Sequence, residues 1–298
     1  MKYNNLYFKN FHPVTALIFF ICAVILTICC NHPVFLIASF IVSFLFLVLA
    51  THIKYVIKNL LFALPLLLFM GIVNALFNHR GSTALLYINN QPVTLEAICY
   101  GFFTGLFIIT LIFWFKSMGA VIDSYRFLYL FGHIMPTLAL MASMIVRFIP
   151  YFRRKLDEIQ NTSHALGVST ADGKMTGKLK SGNRILSILV SVSLENSIDT
   201  ADSMRARGYN LKNKTHYHKY KFSWKDSFLL CIIFIAICGF LTVYFDGLFS
   251  FSYYPYLSKI TFDHTLMIVL ACYGSFLGIP VIYHGLEALK WHLLISKD

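Results

Sequence analysis

Six near-uninterrupted apolar runs punctuate the chain, at residues 14–30, 33–50, 60–77, 94–115, 226–245 and 264–284. Each is about long enough, at roughly 1.5 Å of rise per residue, to cross a hydrocarbon core of roughly 30 Å. The first two are short and should cross with little tilt. The pattern predicts an all-α, polytopic integral membrane protein with about six transmembrane helices. None of the runs has the shape of a cleaved leader, because the apolar segments keep coming and no small-residue cleavage site follows the first. A seventh apolar run, 127–146, is interrupted by Gly132, His133 and Pro136. It would have to start and end on the same side of the membrane, so it reads as a shallow or protein-covered segment.

Between the fourth and fifth runs the pattern changes to two long helical stretches joined by a polar loop. This gives three expected regions: 1–125 with about four spans, 126–225 with the long helices, and 226–298 with about two spans. The first long helix is expected from about Pro136 to His164. It begins apolar and turns polar after Arg147, and Pro150 should kink it by removing a backbone donor. The joint "VSTADGKMTGKLKSGN" has no apolar period and reads as a loop. The second helix is expected from about Asn183, a plausible N-cap, to Arg207. Ile185, Ile188, Leu189 and Val192 have the spacing of one helical face. Glu195, Asp199 and Asp202 form an acidic row, and Arg205 falls three residues after Asp202, within pairing distance. Gly208 sits where a left-handed residue would end the helix.

Composition agrees. The 298 residues are 58% hydrophobic and 13% charged, with a mean hydropathy of +0.68, whereas soluble domains carry about 25% charged residues. The net charge of +12 is concentrated, with fifteen of the 25 Lys and Arg falling in residues 147–225. No stacking platform or groove-reading motif accompanies the charge, so nucleic acid is not the expected partner. Beside membrane spans such an excess marks the cytoplasmic side. With basic Lys2, Lys9, Lys54, Lys58 and Lys116 at alternate span ends, six spans put both termini in the cytoplasm. The seven cysteines all lie in apolar runs without a Cys-x-x-Cys pair, and read as free thiols. No P-loop or nucleophile–base pair occurs, so neither catalysis nor a cofactor is expected.

Arg207 raises the functional question. It lies about 120° around the helix from Glu195, at about 100° per residue, off the acidic row. A cation at a helix C-terminus is stabilised by the dipole, by about 0.3–1 kcal/mol, and that alone would explain it. The alternative is a plug: small Ala206 permits close approach, Gly208 stops the helix, and the forked guanidinium enters an acidic socket on a partner.

Several stretches together resemble the transmembrane (T) component of energy-coupling factor (ECF) transporters, importers of vitamins and metal ions related to ABC transporters. They are "HPVTAL" at 12–17, "NHP" at 31–33, "FNHRG" at 77–81, "TLEAICYG" at 94–101, "LALMASMIVRFIPYF" at 138–152 and "LENSIDTADSMRARGY" at 194–209. The resemblance implies that the two long helices are cytoplasmic coupling helices whose Ala-Arg-Gly ends dock into two ABC ATPase subunits. Ala206, Arg207 and Gly208 match that motif. It also implies that a small membrane-embedded S component binds the substrate, and that this chain sits in a bacterial or archaeal cell membrane. The first helix departs from the motif, ending Ala165-Leu166-Gly167. Leucine can fill an apolar groove but cannot make an ionic contact. Arg147, Pro150, Asp202 and Arg205 would support the coupling helices.

Other features weigh less. Glu96 opens the fourth span, and at a span end it reads as solvated. His216 and His218 lack a third ligand for a metal. The rival function is a self-sufficient permease or channel, which should place ionisable groups at mid-membrane. The spans offer few, Asn74 among them. A membrane-embedded enzyme would need clustered His, Asp or Glu, which the sequence lacks. Which vitamin or transition-metal ion is carried is not written in this chain.

Overall fold

His-Pro pairs open the first two helices. In the computed structural model, Pro13 and Pro33 begin α1 (Pro13–Cys29) and α2 (Pro33–Ala50), where their fixed φ suits the first turn and their missing N–H would be unpaired anyway. The ring Nδ1 of His12 accepts from the Val14 N–H at 3.3 Å, and that of His32 from the Val34 N–H at 3.4 Å. Each imidazole thus caps the helix that follows it.

The structure describes residues 7–51, 53–88, 91–167, 175–209, 220, 222–247, 249, 251–258 and 263–295. A 3-10 turn (Tyr7–Asn10) precedes α1. After α2 come α3 (Ile53–Phe77), an antiparallel hairpin of β1 (Ala84–Ile88) and β2 (Gln91–Thr94), α4 (Leu95–Val121), α5 (Ser124–Ile134), α6 (Pro136–Ala165), α7 (Met175–Ala206), α8 (Trp224–Phe245) and α9 (His264–Ile295). The chain forms two compact units, one of Met1–Phe127 with Tyr220–Asp298 and one of Leu128–Lys219.

The first unit is the membrane unit. Pro33–Ala50, Ile53–Phe77, Leu95–Val121, Trp224–Phe245 and His264–Glu287 are long and apolar enough to cross a membrane. Pro13–Cys29 is a shorter apolar helix of 17 residues, roughly 26 Å long. These six helices correspond to the six apolar runs. Two bounds differ. Lys54 and Lys58, expected in a turn, lie in the first turns of α3, and Lys116 lies inside α4, where its Nζ donates to Asn59 Oδ1 of α3 at 2.7 Å. The long apolar stems of lysines let them continue such helices.

Helix α4 packs against α1, α2 and α3, while α9 packs against α2, α8 and the 3-10 turn. The core between them is aromatic: Phe8, Phe19, Phe20, Phe46 and Trp114 are fully buried, mostly in edge-to-face pairs. An indole N–H inside a bilayer needs an acceptor. Trp114 Nε1 donates to Ser39 Oγ at 3.0 Å, and Ser39 shares a 2.9 Å hydrogen bond with Thr27, so one polar chain links α1, α2 and α4. Gly101 and Gly105 face α3. A β-carbon on Gly101 would lie 2.8 Å from both Asn74 Cβ and the Met70 carbonyl oxygen, and one on Gly105 3.2 Å from Leu67 Cα. Small residues four apart let two membrane helices approach closely, as in the glycine-xxx-glycine contact.

In the second unit the 127–146 run divides at Met135, where α6 starts with Pro136. Gly132 and His133 do not interrupt α5, which continues to Ile134. Helix α6 passes through Pro150 as helix. The expected loop is overturned in part: α7 starts at Met175, eight residues before Asn183, so Asn183 is not an N-cap. Residues 168–174 of that joint lie outside the described ones, as do His216 and His218.

Candidate functional site

The second unit presents two helix ends of the same build. Gly208 has φ +75°, its N–H reaches the Arg205 carbonyl at 3.0 Å, and the Tyr209 N–H reaches the Met204 carbonyl at 3.1 Å. This pair of bonds is the Schellman closure, which satisfies carbonyls that the ended helix leaves open. Gly167 has φ +69° and donates to the His164 carbonyl at 3.1 Å. Only glycine takes such a φ without a clash between Cβ and backbone. The α8 end repeats the geometry at Gly247, with φ +74°, so the cap itself ends helices generally. What distinguishes the two ends is the residue before the glycine. Arg207 and Leu166 are both exposed, and Leu166 keeps 73% of its surface open. Arg207 has no ion pair among the described residues, whereas Arg205 pairs with Asp202 at 3.8 Å, both well exposed. An exposed pair of this kind stabilises by a few tenths of a kcal/mol at most.

Helices α6 and α7 meet where the Asn196 Nδ2 of α7 donates to the Tyr151 hydroxyl of α6 at 2.7 Å. Phe148 and Phe152 stack beside that tyrosine. At about 1.5 Å per residue, the ends lie roughly 21 Å and 15 Å of helix beyond this contact. Arg147 and Pro150 are exposed on α6, on the stretch that meets α7. Glu158 holds the Lys155 ammonium above its usual pKa through a 2.7 Å hydrogen bond. Leu138, Met141, Ile145 and Ile149 of α6 are exposed at helical spacing, as are Leu186, Val190, Leu194 and Ile198 of α7.

Two of the quoted sequence blocks come together in the membrane unit. "FNHRG" and "TLEA" enclose Glu96, which is 2% exposed rather than solvated. Its Oε1 accepts from Ser82 Oγ at 3.2 Å and the Thr83 N–H at 3.3 Å. Thr94 Oγ1 donates to the Arg80 carbonyl, and Asn78 Nδ2 to the Tyr254 hydroxyl at 2.9 Å. Gly81, at φ +152°, has no room for a β-carbon, which would fall 2.7 Å from Glu96 Oε2. The sequence signal was present in that glycine and in the acid at the start of an apolar run.

Comparison with known proteins places the chain in a family. The family described as CbiQ, cobalt transport protein, matches residues 8–217. This chain belongs to the CbiQ family. Among relatives, the energy-coupling factor transporter transmembrane protein EcfT of Exiguobacterium sibiricum is 28% identical over 254 residues, covering 81% of this chain and 95% of the relative. The EcfT of Lactococcus lactis is 34% identical over 99 residues, 33% of this chain and 37% of the relative. An uncharacterized protein of Mycoplasma pneumoniae is 28% identical over 108 residues, which cover 35% of this chain but 25% of that longer protein. The CbiQ-family chain is a multi-pass membrane protein of the transport class, like EcfT.

Proposed function

We propose that this CbiQ-family chain is the transmembrane coupling subunit of an ECF-type importer, linking ATP hydrolysis on two ABC ATPase subunits to reorientation of a substrate-binding S component. The observation that carries the reading is the pair of glycine-capped helix ends, each offering one exposed side chain, Arg207 or Leu166, on the residue before the glycine. A rigid helix that stops abruptly behind an exposed side chain is suited to fit a socket, and a forked cation suits an acidic one. Ala206-Arg207-Gly208 would engage one ATPase through charge. Ala165-Leu166-Gly167 would engage the other through apolar contact alone, making the two attachments unequal. Arg147, Pro150, Asp202 and Arg205 shape and support these helices. Residues 1–125 and 226–298 hold the spans, 126–225 the coupling region. The basic region and both termini lie in the cytoplasm of a bacterial or archaeal cell. The substrate is a vitamin or a transition-metal ion, held by the S component, and this chain is not itself an enzyme.

A mild-detergent pull-down of the tagged chain from its own membranes tests this, comparing wild type with Arg207→Glu and Leu166→Arg. Wild type should carry two ATPases and a small hydrophobic protein. Arg207→Glu should lose ATPase, since reversing the charge leaves an acidic socket facing an acid. Recovery of the chain alone, unchanged by either substitution, would return the reading to a self-sufficient permease that binds solute in its own bundle.

A further inference from the structure

The chain leaves the membrane unit after Phe127 and returns at Tyr220, and both connections are held at one place. Arg126 sits at the start of α5, with its guanidinium 5.7 Å from the centre of the Tyr220 ring. Its Nη2 donates to the Lys9 carbonyl in the 3-10 turn. Lys9 Nζ in turn pairs with Asp123 at 3.3 Å, just before α5. On the returning side, the His12 ring lies 6.2 Å from Tyr220 and 5.8 Å from Phe222. Asp226 then bridges the two segments: its carboxylate accepts from the His12 N–H and the Ser223 N–H, each at 2.8 Å. It is 2% exposed, so these bonds are shielded from water.

The turn that holds both connections is itself fixed. Phe8 is fully buried among Phe19, Phe20 and Phe46, and Phe11 packs on Tyr283 of α9 at 4.8 Å. Arg126 Nη1 is buried with no hydrogen-bond acceptor among the described residues. A guanidinium is placed this way at a cost in desolvation, offset here by the tyrosine face and the carbonyl. A long connection needs no such arrangement merely to join two units.

We propose that Arg126 is the positioning residue of a clasp, formed with the Tyr7–Asn10 turn and Tyr220, that fixes both connections of Leu128–Lys219 to the membrane unit and so carries movement from one to the other. This rests on the coupling reading above. Were only one connection fixed, the inserted unit would swivel on it and the displacement would be lost in the second. With both held to a turn rooted in the aromatic core, a displacement of the inserted unit is passed to α1, α8 and α9.

The test uses the full complex in liposomes, with Arg126→Gln, Tyr220→Leu and, as control, Asn10→Ala at the exposed end of the turn. Arg126→Gln and Tyr220→Leu should keep their ATPases and hydrolyse ATP at the wild-type rate, while substrate taken up per ATP falls about tenfold, the order of the partly desolvated cation–π contact that both variants lose. Amide exchange of the chain alone should rise at 124–127 and 222–227 in both variants and not in the control. Unchanged uptake per ATP would overturn the proposal, as would uptake and hydrolysis falling together, which would mark a purely structural role. If the wild-type chain recruits no ATPase, the coupling reading fails on its own account. Exchange then decides the clasp: an unaltered pattern in Arg126→Gln would overturn it.

Discussion

Asn196 of α7 and Tyr151 of α6 are joined by a 2.7 Å hydrogen bond, with Asn196 Nδ2 also reaching the Val192 carbonyl at 2.8 Å. Both donor hydrogens of one amide are therefore used, one within its helix and one between helices. Tyr151→Phe removes the acceptor and keeps the ring among Phe148 and Phe152. The expected loss is about 0.5–1.5 kcal/mol in the pairing of α6 with α7, read as faster amide exchange in the middle of both helices, with the membrane unit unaffected.

The close approach of α3 and α4 makes a sharper demand. Gly101→Ala places a β-carbon 2.8 Å from the Met70 carbonyl oxygen, a backbone atom that cannot swing away. Overpacking of this kind costs about 1–3 kcal/mol, and Gly101→Leu should cost more. Gly119, in the same helix, has nothing within 4 Å of its β-position. Gly119→Ala should be neutral or stabilising, by up to about 1 kcal/mol from helix propensity. Thermal melts in one detergent compare the variants directly.

Around Glu96 two substitutions should behave alike for different reasons. Gly81→Ala meets both a strained φ of +152° and a clash with Glu96 Oε2 and Thr94 Oγ1, each 2.7 Å away. Glu96→Ala leaves the Thr83 N–H and Ser82 hydroxyl without their acceptor, a loss of about 1–3 kcal/mol. Each should loosen the hairpin from α4, seen as protease cleavage between 78 and 94 while the spans stay intact.

Protonation acts at the start of α2. Burial against Phe35 and Phe251 holds the His32 imidazole below its usual 6.5, and the neutral ring is the one that caps Val34. The unfolded chain takes up a proton here near its ordinary value while the folded chain resists it. The stabilisation is therefore complete above about pH 6.5 and is lost as pH falls through the lower folded value. Tm should hold steady from about pH 8 to 7 and fall below. His32→Asn, a capping residue that does not titrate, should flatten that part of the profile.

The apolar runs were legible because a bilayer asks for length and hydrophobicity together, and chance rarely supplies both. Arg205 and Asp202 were legible as a pair from spacing alone. The start of α7 was not. Gly177 and Gly182 each cost about 1 kcal/mol in a helix, and the lysines and serines around them carry no apolar period. Once the stretch from Ile185 is helical, however, each added residue needs only to propagate it. Glu96 reads as solvated from sequence because its burial depends on Gly81 and Thr83, more than a dozen positions earlier in the chain. The hairpin between α3 and α4 is likewise the product of contacts made by its flanks, since "ALLYI" alone does not say what it pairs with.

The bond from His12 to Asp226 spans 214 positions, and that separation sets an order of events during synthesis. At roughly 5–20 residues per second, a ribosome needs about 10–40 s after making His12 before Asp226 exists. Throughout that interval the first span waits in the bilayer with the side that will meet α8 turned to lipid, while the entire inserted unit is produced. The N-terminal turn lacks its contacts with Asp226 and Tyr283 until the last two spans arrive. The beginning of this protein is finished by its end, so a chain that stalls between 128 and 219 leaves its first helix packed on α4 but bare where α8 belongs.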